Sequence, residues 1–172
     1  KTQWTQPVPL SMISTMMTYE DENKIYIDDR AFTFYTYIAP PVKLGASTAY
    51  LMLTRDKNGA LLRGGENYTL TVPANVPAKQ FWSIVVYDAA TRSFVENETK
   101  VAEIGSRTKG LMQNEDGSVD LYFGPTAPEG KESNWVQTAP GKAWFTYLRC
   151  YGPLEGYLEA TWPVPDIEKA EK

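Results

Sequence analysis

Short apolar runs, separated by residues that favour turns, dominate the chain. Ala49 to Thr54 predicts a strand. Asp56-Lys57-Asn58-Gly59 then predicts a tight turn, because Asn-Gly tolerates positive φ. Tyr68 to Val72 alternates with period two and stops at Pro73. Phe81 to Tyr87 is rich in β-formers and apolar on both faces, which predicts a central strand. Asp88-Ala89-Ala90-Thr91 is the expected turn into Phe94 and Val95. Asn114-Glu115-Asp116-Gly117 is another turn, leading into a strand from Val119 to Phe123. In the last long run, Ala143 to Tyr151, Trp144, Thr146 and Leu148 take one face while Phe145, Tyr147 and Arg149 take the other.

Helical signals are few. Asp28-Asp29-Arg30-Ala31 opens a segment that ends at Ile38, before Ala39-Pro40-Pro41. An Asp cap and a closing Pro-Pro favour a helix, although Phe32, Phe34, Thr36 and Ile38 also alternate as a strand would. Leu154 to Thr161 places Leu154, Tyr157 and Leu158 at helical spacing, enough for one or two turns. Residues 1–22 lack a clean period. They hold Trp4, Pro7, Pro9 and a Met-rich run around Met12, Met16 and Met17, and predict an arm that lies on the domain or on a partner. Residues 166–172 form a charged tail expected to fray. Strands without βα alternation predict a mainly β fold over 23–165, an antiparallel β-sandwich of jelly-roll type with short flanking helices.

Composition narrows the function. The 172 residues are about one domain's worth. The chain carries net charge −4 and has no basic stretch, which argues against a nucleic-acid partner. No apolar run approaches the roughly 18 residues needed for a bilayer span. Cys150 is the single cysteine, so no intrachain disulfide forms. Compartment stays open between a bacterial cytoplasm and an exported location. The sequons at Asn67 and Asn97 matter only in a eukaryotic secretory route. There is no histidine, which removes the usual base near neutral pH, Ser–His and Cys–His pairs, and the commonest transition-metal ligand. Neither a cofactor nor a metal is expected, and no catalytic residue is assigned.

Several residues remain as binding candidates, each with a plain structural reading beside it. Asn134-Trp135 could hold a sugar or amide by a hydrogen bond and stacking, or plug and cap one end of the fold. Arg149, mid-strand among apolar residues, could clamp a carboxylate or pair with an internal acid. Trp82, Tyr87 and Tyr122 complete the ligand-binding set, and Trp144 is a further ring for an aromatic groove. Asn114, Asp116, Ser118 and Asp120 alternate oxygens but miss the calcium-loop pattern, so a hairpin turn is favoured. Glu20, Asp21, Glu22, Asp28 and Asp29 read as a solvated or helix-capping acidic patch. Ser83 and Thr146 have no base partner in any motif with Lys79, and Cys150 reads as a buried inert thiol.

Three ordered blocks resemble a family. The first is Pro73-Ala74-Asn75-Val76-Pro77-Ala78-Lys79-Gln80-Phe81-Trp82-Ser83 with Tyr87-Asp88. The second runs from Asn114 to Asp120 and on through Tyr122-Phe123-Gly124-Pro125. The third is Asn134-Trp135, Pro140-Gly141 and Leu148-Arg149-Cys150-Tyr151-Gly152-Pro153. Together they are similar to the bacterial domain of unknown function 1214, over roughly Ala31 to Trp162. The resemblance implies a jelly-roll-like sandwich. It also implies a C-terminal place in a larger protein, after a companion module called 1254; it implies no reaction. Three functions follow as expectations: a non-catalytic structural or interaction module, docking through a companion or by self-association of the arm; a carbohydrate or small-molecule binding module; and a His-independent hydrolase or lyase.

Overall fold

The computed structural model describes residues 2–5, 20–21, 24–25, 48–158 and 161–170. The expected helix over 28–38, the Met-rich run and most of the acidic patch lie outside them. The described residues form ten strands in order: β1 (Glu20–Asp21), β2 (Lys24–Ile25), β3 (Thr48–Leu53), β4 (Tyr68–Val72), β5 (Ala78–Asp88), β6 (Glu103–Gly105), β7 (Val119–Gly124), β8 (Trp135–Gln137), β9 (Trp144–Pro153) and β10 (Glu168–Lys169). Among the described residues the helical content is one short helix, α1 (Glu155–Leu158), inside the stretch where helical spacing predicts a turn or two, and a 3-10 turn at Glu132–Asn134.

Two four-stranded sheets share one core, in the orders β3-β9-β5-β6 and β10-β4-β7-β8; β1 and β2 pair separately. The first sheet is antiparallel throughout, and β5 and β9 lie at its centre, as their apolar runs predict. The second is mixed, which corrects the all-antiparallel expectation: β8 runs parallel to β7. A parallel return needs a longer crossover than a hairpin, and residues 125–134, with their 3-10 turn, supply it.

Strand faces sort the core. Leu70, Val72, Leu121, Phe123 and Val136 of one sheet meet Leu53, Ile84, Val86, Ile104 and Leu148 of the other. Each such side chain contributes about 1.5–3 kcal/mol on burial. Trp144 bridges the layers, with Phe123 at 5.1 Å and Tyr68 at 5.7 Å between ring centres.

The C-terminal end departs from expectation, and the N-terminal one takes one of the two places expected of it. The tail does not fray over its described part: Ile167 has 0% exposure, and β10 pairs with β4. One buried apolar side chain anchors a segment that composition alone reads as solvated. Ion pairs Lys57–Glu168 (2.8 Å) and Lys169–Glu66 (3.1 Å) flank it. At the other end, Trp4 is buried and its indole N–H donates to Pro165 O, while the Gln3 N–H donates to Asp166 Oδ1. Thr5 bridges to Met52, so residues 2–5 lie on the domain.

Candidate functional site

The register of the first sheet dictates what its outer face presents. Residues of one parity on β5 and β9 enter the core, so Phe81, Val85 and Tyr87 share the other side with Phe145, Tyr147, Arg149 and Tyr151. Cross-strand rows can be read directly. Tyr50, Arg149, Ser83 and Gly105 form one row, and Met52, Tyr147, Val85 and Glu103 the next. Phe145, Tyr87 and Phe94 form a third, and Tyr151 with Phe81 a fourth.

Rings pack across these rows. Tyr147 stands edge-on to Tyr50 (6.0 Å), Tyr87 (5.5 Å) and Phe145 (5.8 Å). Tyr87 stacks beside Phe145 at 5.2 Å, and Phe81 on Tyr151 at 3.9 Å. Three arginines lie over this surface: Arg107 above Phe81 (3.9 Å), Arg149 above Tyr151 (4.9 Å) and Arg92 above Phe145 (5.5 Å). Among the described residues, Glu103 is the carboxylate that pairs with one of them, 3.9 Å from Arg149. Phe94 at 59% and Tyr50 at 41% remain open to solvent.

Burial pushes the Tyr87 phenol above its ordinary value, with Arg149 opposing. Burial does the same to Tyr147, with Arg92 opposing. Both phenols therefore stay protonated well past neutrality. Cys150 has 0% exposure, and burial pushes its thiol up to about 12. A protonated, buried thiol is a poor nucleophile.

The six candidate binding residues fall in three places. Tyr87 and Arg149 share the aromatic face. The Trp82 ring turns into the core. Tyr122 and Trp135 are register partners on β7 and β8, on the far side of the other sheet, and the Trp135 indole donates to Gly124 O. Burial, then the nearby Asp120, raises the Tyr122 phenol. Asn134 is buried and fully used inside the fold. It accepts from Met112 N–H and donates to Met112 O and Asp120 O, pinning the loop before β7 to the 3-10 turn. Trp82, Tyr122, Trp135 and Trp144 thus do not line a common groove. The 114–120 oxygens bond one another: Asp116 Oδ1 accepts from the Ser118 N–H and hydroxyl, and the Ser118 hydroxyl also accepts from Asn114 Nδ2. Gly117, with φ 81°, closes that turn.

Two cavities of about 280 Å³ flank β6. One, between β6 and β8, is lined by Val101, Ile104, Thr108, Ser133 and Trp135. The other opens at the edge of the aromatic face, beside Phe81, Ser83, Glu103 and Arg107. Sequence reasoning missed Phe81, Glu103, Arg107 and Tyr151 as members of this surface. The signal that could have found the rings was aromatic residues on both alternations of β9. Among the described residues, no three Cys, Asp or Glu side chains gather as metal ligands, and no helix is long and apolar enough to cross a membrane.

Comparison with known proteins gives a family. The chain resembles the structure of the VPA0106 protein from Vibrio parahaemolyticus, with TM-score 0.70 and 19% identity over 87% of this chain. It spans 36% of that protein's length. An uncharacterised protein from Burkholderia cenocepacia aligns with TM-score 0.47 and 14% identity, over 94% of this chain and 47% of the other. No curated protein matches. Residues 47–155, from the start of β3 to the start of α1, match the family described as "Protein of unknown function (DUF1214)", and the chain belongs to that family.

Proposed function

We propose that the chain is a non-catalytic interaction module, and that the outer face of the first sheet docks the remainder of a longer bacterial protein, a companion module of the 1254 kind. The observation that carries this is the aromatic cluster around Tyr147 on a face where an antiparallel sheet would ordinarily present polar side chains to water. Tyrosine and arginine are the residue types enriched where protein surfaces meet. The extra length of the Vibrio relative is consistent with further modules beside this one. The chemistry fits a docking role better than a catalytic one: the phenols and the thiol on these strands are held protonated, and the chain lacks histidine. The architecture that goes with this reading is the jelly-roll-type sandwich, supported by two sheets over one core.

The test is light scattering and calorimetry of the chain mixed with a 1254-type module. Wild type is expected to form a stable one-to-one complex. Tyr50→Ser with Tyr147→Ser is expected to weaken it by about tenfold or more, since interface aromatics dominate such energies. If no complex forms, or if the double variant binds as well as wild type, the docking reading is abandoned.

A further inference from the structure

The cavity at the β5–β6 edge carries more than its shape. Its lining includes Ser83, only 2% exposed, whose buried hydroxyl has no hydrogen-bond partner. A buried hydroxyl without a partner is destabilising, and folded proteins rarely leave one so. The neighbouring hydroxyls do not relieve it. Ser106 Oγ accepts from the Trp82 N–H and donates to Trp82 O, and Thr108 Oγ1 accepts from the Gly105 N–H. Across the strand pair, Gly105 faces Ser83, and a Cβ there would collide with Trp82 O and crowd Ser83. The absence of a side chain at Gly105 keeps this side of Ser83 open.

The rim adds charge. The Arg107 guanidinium carbon lies 3.9 Å from the Phe81 ring centre, and the side chain makes no hydrogen bond or ion pair with the described residues. Arg107 lines the cavity with its N–H donors unused by the described residues, and a guanidinium is the group that takes a carboxylate in a fork. On the other side of Ser83, Arg149 leans toward Glu103 at 3.9 Å, too long for a strong hydrogen bond. The lining itself carries one guanidinium, Arg107, and one carboxylate, Glu103, and Arg149, in register with Ser83, draws on that same carboxylate from beside the cavity.

We infer that this cleft binds a small organic carboxylate, with the Arg107 fork and the Ser83 hydroxyl donating to its oxygens and its apolar part lying against Phe81. A volume of about 280 Å³ sits at the bottom of the range for ligand pockets and restricts the guest to a compact one. The inference goes beyond the docking reading and does not depend on it. The cleft lies at the β5–β6 edge of that same face, and its test reads the cleft residues alone.

The experiment titrates benzoate into the full chain, by calorimetry and by amide shifts in a nuclear magnetic resonance spectrum. Benzamide is the neutral control and inorganic phosphate the rival anion. Benzoate is expected to saturate, with its largest shifts at Ser83 and Gly105. Benzamide and phosphate are expected to bind at least about tenfold more weakly. Arg107→Gln, on an exposed side chain, is expected to lower benzoate affinity by about tenfold. Ser83→Ala is expected to lower it by about threefold to tenfold while leaving the spectrum folded. Failure of benzoate to saturate in the tens-of-millimolar range would overturn the inference. So would affinity unchanged in both variants, or phosphate binding as well as benzoate.

Discussion

The two sheets back onto the same core yet turn unlike faces outward. The β10-β4-β7-β8 sheet shows Thr69, Thr71, Asp120 and Tyr122, and Thr71 Oγ1 donates to Asp120 Oδ1 at 2.6 Å. This is the surface that period-two alternation predicts for a sheet with one wet side. The β3-β9-β5-β6 sheet shows interlocked rings capped by arginines. Both sheets satisfy the core in the same way, so folding alone does not require the second kind of face. The difference locates where this chain has chemistry to spare.

The largest expected effect concerns what the faces share. Ile167→Ala should cost about 2–5 kcal/mol, because it empties a fully buried site in the common core. A shift of the urea midpoint at unchanged slope measures it; a loss under about 1 kcal/mol would show that the tail is not anchored as described. Next comes the contrast itself. Tyr147→Ala, which removes three ring contacts, should cost about 2 kcal/mol. Thr71→Ala on the polar face should stay within about 0.5 kcal/mol. Equal costs would erase the distinction between the faces. Ser83→Ala should stabilise the unliganded chain by about 1 kcal/mol, by deleting a buried hydroxyl that has no partner. A destabilised S83A would mean that the hydroxyl is satisfied after all.

The smallest effect depends on pH and sits at the end of the aromatic-faced sheet. Lys142, 2.9 Å from Asp88, donates to its carboxylate and, with the Ala90 and Thr91 N–H groups, holds Asp88 below the usual carboxylate value. A depressed folded-state value means the contribution is fully present above the unfolded value of about 3.9 and is lost as pH falls through the folded one. Lys142 is raised by the same bond, so its share disappears only as pH rises past about 10.4 and through its folded value. Melting curves of wild type and Asp88→Asn should therefore differ most between these limits and converge below about pH 3.9. A gap that persists in acid would show that the pair contributes nothing through charge.

Much of the framework could be read from the chain because period-two patterns and turn residues coincide. Tyr68 to Val72 and Phe81 to Tyr87 lie within or match observed strands, and Asn114–Gly117 forms the expected turn. The short strands escaped. Glu103–Gly105 and Trp135–Gln137 have three residues each, too few for a period to show, and they exist because a longer neighbour offers backbone partners. Glu168–Lys169 was hidden because a single Ile167 decides it. For the site, the sequence pointed to Tyr87 and Arg149 but scattered them among residues from other faces. Which rings share a side depends on sheet register, and Arg107 reaches Phe81 from a loop that no strand pattern describes.

The pairing of β3 with β9 has a consequence for synthesis. Among the described strands of its sheet, β3 pairs only with β9, whose matching residues arrive roughly a hundred positions later. On a ribosome adding about 5–20 residues per second, β3 waits on the order of five to twenty seconds with the edge that faces β9 unpaired. Nascent chains therefore carry an open, apolar strand edge for that interval, and the first sheet is completed only when the C-terminal third has emerged.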